Sequence, residues 1–156
     1  MGPMETRQIL GLAAELELKT SHCYERIGRM AGAEPFASDL AKLAKEEIVH
    51  ANLLKTGKAY ESDNPEAFGD ALVSVKQLEV GREAAGQLIA DIDAGKATLA
   101  EALERIRDLE SAFEQTHLAT LVEINDPRLH ELFRALSFDD GSHKRRLEGI
   151  LRDLRS

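Results

Sequence analysis

One cysteine, Cys23, stands in a chain of 156 residues. That excludes an internal disulfide, a CxxC redox pair and a four-thiolate iron site. Tryptophan is absent and aromatics make up only 4%, so the core is left to aliphatic side chains. Strand signals are missing. No apolar run approaches the roughly 18 residues that suggest a membrane span. The polar pattern of Met4-Glu5-Thr6-Arg7 shows no signal peptide, so the expected location is cytoplasmic, with no membrane partner. Positive charge is in deficit, with 20 Lys and Arg against 28 Asp and Glu and a net charge of −8. That argues against nucleic acid, because phosphate binding needs a basic face.

What is abundant is Ala, Leu, Glu, Lys and Arg, the residues helices prefer. The length fits one domain, residues 1–156, with a real core. Local signals place the helix ends. Glu34-Pro35, Asn64-Pro65 and Asp126-Pro127 each put proline where a first helical residue tolerates it, and Asn64 and Asp126 are good N-caps. Thr98-Leu99-Ala100-Glu101 is a capping box. Gly32, Gly57 and Gly95 read as C-terminal stops. The predicted helices span about 5–31, 36–57, 98–125 and 128–154, with a long, mostly helical crossover at about 65–94. The expected fold is all-α: a four-helix bundle in which two helical hairpins, about 5–57 and 98–154, are joined by that crossover.

The two hairpins share a register. Glu17 and Glu110, Glu47 and Asp140, and His50 and His143 are each separated by 93 residues. Leu16 and Leu109, Leu40 and Phe133, Leu43 and Leu136, and Leu54 and Leu147 obey the same offset. The pattern is a carboxylate followed by carboxylate-x-x-His, occurring twice. On a helix, residues three apart share a face, so Glu47 with His50, and Asp140 with His143, can each reach one ion. Glu17 lies on the stripe of Leu10, Ala13, Ser21 and Tyr24, and Glu110 on that of Ile106, Phe113, His117 and Leu121. An acid on an apolar stripe is costly unless paired or metal-bound. Four carboxylates and two imidazoles make a dinuclear site, suited to iron or manganese and less well to zinc. The competing reading of each histidine is a surface residue in an i,i+3 ion pair.

Glu17, Glu47-x-x-His50, Glu110 and Asp140-x-x-His143 resemble the diiron pattern of the ferritin-like superfamily. Ala14-Glu15-Leu16-Glu17, with Tyr24 seven residues after the glutamate, is similar to the first helix of its rubrerythrin group. The resemblance covers nearly the whole chain and is least specific in the crossover. It implies two iron ions bridged by Glu47 and Asp140, with Glu17 and His50, and Glu110 and His143, as terminal ligands. It implies an oxidoreductase acting through those metals, a peroxidase consuming peroxide, in a homodimer. The alternatives are a ferroxidase or iron-handling protein using dioxygen, and a non-catalytic bundle stabilised by metal. Two features depart from the pattern. Asp140 replaces the usual glutamate, shortening the arm by one methylene, and Gly141 follows it. No rubredoxin-type domain follows, so electrons are expected from an external donor.

Several residues near this set have two readings each. Glu114 is either a further or exchanging ligand, or a supporting or solvated carboxylate. Tyr24 and His117, also 93 residues apart, either hydrogen-bond a ligand carboxylate or fill the core. Glu15, His22 and His130 are expected at the surface, and Lys144-Arg145-Arg146 on a solvated helix face. Cys23 reads as a small buried hydrophobe.

Overall fold

The computed structural model describes residues 3–115 and 122–156; the side chains of residues 3–4, 113–115, 122, 132–133 and 135–141 lie outside that description. The chain is mostly helical. In order come α1 (Pro3–Gly28), α2 (Ala37–Asp63), β1 (Phe68–Ala71), α3 (Val75–Asp93), α4 (Leu99–Gln115), β2 (Val122–Ile124) and α5 (Pro127–Arg155). Short 3-10 turns at Glu34–Phe36 and Pro65–Ala67 precede α2 and β1. Among the described residues no helix is long and apolar enough to cross a membrane.

The helices form because their apolar residues recur every three or four positions. On α1 the buried line runs through Ile9, Leu10, Ala13, Leu16, Glu17, Ser21, Tyr24 and Ile27. On α2 it runs through Leu40, Leu43, Ala44, Glu47, His50, Ala51 and Leu54. Each line carries acids or histidine among its aliphatic residues, so whatever buries the core also buries those polar groups. Helix α1 packs against α2, α3 and α4, while α4 and α5 pack together. Gly81 lets α3 approach α1, since a Cβ there would stand 3.0 Å from Leu16 Cδ2. Cys23 sits in this seam as a buried thiol donating to the Ala85 carbonyl. Burial pushes its pKa up to about 12.

Sequence expectations and structure differ at several ends. Helix α2 does not stop near Gly57, which is buried inside it, and continues to Asp63. It ends where Pro65 restricts Asn64 to a non-helical conformation. Asn64 is no side-chain N-cap; its amide donates back to the Tyr60 carbonyl. Asp126 does cap α5, accepting from the Arg128 backbone N–H at 2.9 Å. Thr98 and Glu101 exchange the hydrogen bonds of a capping box, and Ser74 with Gln77 forms another that the sequence reading overlooked.

The absence of strands was a wrong expectation, and so was a helix continuing from 98 to 125. Helix α4 is described as far as Gln115, and Val122–Ile124 is strand β2, which pairs antiparallel with β1, Phe68 opposite Ile124. With only four and three described residues, these strands carry too little alternation to read as strands in the sequence. Their stability comes from each other across more than fifty residues of chain. Asn125 extends the tie, its backbone N–H donating to the Ala67 carbonyl at 2.7 Å.

Candidate metal centre

Four helices bring the expected side chains together. Helix α1 contributes Glu17, α2 contributes Glu47 and His50, α4 contributes Glu110, and α5 contributes His143. All five are buried, none more than 4% exposed. Leaving ionised carboxylates in such a place without compensation costs several kcal/mol each. The compensation is mutual. Glu17, Glu47 and His50 form one group, and Glu47, Glu110 and His143 form another, with the donor atoms of each within 4.8 Å of one another. Glu47 belongs to both.

His50 Nδ1 lies 3.7 Å from Glu17 Oε2 and 3.6 Å from Glu47 Oε2. Two atoms each about 2.0–2.2 Å from a shared cation stand at most about 4.4 Å apart, so these separations fit one. His143 Nδ1 is 2.7 Å from Glu47 Oε1 and 3.6 Å from Glu110 Oε1. The two imidazoles stack, with centroids 5.4 Å apart and planes 15° from parallel. The donor set is therefore three carboxylates and two imidazoles, an oxygen-rich mixture that a divalent cation can use. Both groups can hold metal ions.

Tyr24 is fully buried and donates from its hydroxyl to Glu110 Oε1 at 2.6 Å. Of its two sequence readings, hydrogen bonding to a candidate ligand is the one the fold adopts. Glu15, His22 and His130 are exposed. The side chains of Asp140 and Glu114, and the whole of His117, lie outside the described residues. The expected ligand role of Asp140 and the two readings of Glu114 and His117 therefore stand as sequence expectations.

Two residues of the site escaped the sequence reading. Glu46 Oε2 accepts a hydrogen bond from Arg146 Nη1 at 2.7 Å and lies 3.1 Å from His143 Nε2. Arg146 is thus half-buried and paired rather than merely solvated. Glu46 directly precedes Glu47, and Arg146 follows His143 by one helical turn, a spacing that pairs the two helices once they are known to face each other.

The electrostatics follow from burial and these contacts. Burial alone would raise the Glu47 carboxyl; the hydrogen bond with His143 and then the nearby His50 imidazole outweigh it and hold it well below the usual range. Burial and the Glu47 charge push Glu110 up. Burial would lower His143, but the adjacent carboxylates of Glu110 and Glu47 lift it to about 10.

The pH dependence of the metal-free fold follows in sign. His143 and Glu110 hold protons more tightly folded than unfolded. Their stabilisation is complete below the ordinary values of 4.5 for the acid and 6.5 for the imidazole. It is lost as pH rises through the raised ones, by about 10 for His143. Glu47 acts oppositely, and its contribution disappears only in acid. Urea unfolding of the metal-free protein is expected to show a lower midpoint at about pH 9 than at about pH 6. A bound divalent cation displaces the proton and should remove that fall. A metal-free midpoint that stays flat or rises over this range contradicts the proton assignment.

No protein-family model matches the chain, and no curated protein or solved structure does either.

Proposed function

We propose that the chain is a dinuclear iron protein of rubrerythrin-like type, its long helices α1, α2, α4 and α5 forming a ferritin-like bundle, and that it reduces peroxide. One observation supports this above the rest: two buried acid-and-imidazole groups share the carboxylate of Glu47. Glu17 and His50 would hold one ion and Glu110 and His143 the other, with Glu47 common to both. Ligation rich in oxygen favours iron or manganese over a structural zinc site. Two ferrous ions held there would supply one electron each, matching the two-electron, two-proton conversion of peroxide to two waters.

The chain's own residues prepare the site. Burial keeps bulk water from the carboxylates, so their charge acts at full strength on whatever they hold. The Tyr24 hydroxyl fixes the orientation of Glu110. His143 Nδ1 lies 2.7 Å from Glu47 Oε1, and a proton shared there in the metal-free protein would be released when a cation takes that place. The single cysteine within these 156 residues cannot itself build a thiolate iron relay, so the proposed turnover would take electrons from outside this domain. A homodimer belongs to the same proposal through the rubrerythrin resemblance, and a cytoplasmic location through the polar start of the chain.

The test is metal analysis of anaerobically purified protein, followed by stopped-flow mixing of the ferrous-loaded form with peroxide and with dioxygen. Two irons per chain and one fast oxidation by peroxide are expected, with turnover only when reductant is added. Dioxygen reacting as fast as peroxide would shift the reading to a ferroxidase. Reaction with neither beyond the rate of free ferrous iron in buffer would leave a metal-stabilised scaffold.

A further inference from the structure

We propose that Glu46, clamped by Arg146, is the positioning residue that sets the ring orientation and tautomer of His143 for metal binding; this rests on the metal-centre reading above. The two ring nitrogens of His143 face different carboxylates. Nδ1 points into the buried pair of Glu47 and Glu110, and Nε2 lies 3.1 Å from Glu46 Oε2. Nε2 makes no hydrogen bond in this arrangement, although Glu46 Oε2 is within hydrogen-bond distance of it. The terminal imidazole torsion is soft, so a modest rotation of the ring would bring the N–H onto the carboxylate. With Nε2 committed as donor to Glu46, the lone pair falls on Nδ1, on the side of the buried acids.

Arg146 decides between this role and a simpler one. A half-exposed carboxylate beside an imidazole could serve as an outer cation site. The Arg146 guanidinium 2.7 Å from Glu46 Oε2 repels a cation from that position and neutralises the acid. It also limits the freedom of Glu46, which would otherwise swing into solvent. The chain of contacts therefore runs from α5 through Arg146, across to Glu46 on α2, and back to His143 on α5. The sequence carries an acid at the matching position of the second half, Asp139, 93 residues after Glu46.

The test is zinc(II) titration of the full chain by calorimetry, with wild type, Glu46→Ala and Glu46→Gln compared. Loss of a carboxylate that orients a ligand histidine typically weakens binding about 10–100-fold, and that is expected at one of the two sites in Glu46→Ala. Glu46→Gln keeps an acceptor oxygen and should recover most of the affinity. Nitrogen-15 spectra of the zinc-loaded protein should show a protected His143 Nε2–H in wild type and Glu46→Gln, and none in Glu46→Ala. If the alanine variant loses helicity, Arg146→Gln replaces it and should weaken the same site. Wild type that binds no zinc overturns the metal-centre reading and this inference with it. Wild type that binds two ions, with Glu46→Ala unchanged in affinity and in its Nε2–H signal, overturns the positioning role alone.

Discussion

Glu47→Gln is expected to abolish high-affinity binding of both divalent cations, whereas His50→Ala and His143→Ala should each remove one. Glu47 is the only residue common to the two buried groups among the described residues. The substitution nearly preserves shape, so packing around it survives while the negative charge is lost. Its cost to each site should exceed the roughly 10–100-fold typical of a supporting residue. Titration with cobalt(II) or zinc(II) reads the stoichiometry directly. Two cations bound with wild-type affinity in Glu47→Gln would sink the shared-ligand geometry, and the proposed function with it.

The second large effect belongs to the core that holds this site. Leu43 is fully buried on α2, one turn before Glu47. Leu43→Ala removes apolar contact and leaves a cavity, and such changes cost about 2–5 kcal/mol. The ligands are untouched, so metal should restore part of the loss. A cation at 100 times its dissociation constant contributes about 2.7 kcal/mol per site. Two sites would therefore outweigh a typical cavity, and the variant is expected to be marginal when metal-free and firmly folded when loaded. Urea unfolding with and without zinc(II) checks this. Equal midpoints in the two conditions would show that no cation binds the native state in preference to the unfolded chain.

These two predictions draw on features of different legibility. The meeting of Glu17, Glu47, His50, Glu110 and His143 could be read from the chain because it depends on helical periodicity. Three-residue spacing fixes Glu47 beside His50, and acids on an apolar stripe must go where that stripe goes. The capping boxes are local chemistry of the same kind. The β1–β2 ribbon depends instead on a partner far away in sequence, which no short window contains. The length of α2 was misjudged because Gly57 resembles a stop, whereas packing carries the helix through it to Pro65. Glu46 was passed over for a related reason. It sits off the buried stripe, and its importance appears only once Arg146 and His143 arrive from α5.

The thiol of Cys23 gives the molecule an internal clock. It adjoins Tyr24, whose hydroxyl holds Glu110, and it lies in the seam where α3 covers α1. A sulfur with a pKa of about 12 carries almost no thiolate at neutral pH, and it is wholly shielded besides. Alkylation therefore proceeds only during the moments when α3 lifts away or the whole chain opens. With one sulfhydryl per chain, each modified molecule records a single such excursion next to the ligand-bearing face of α1.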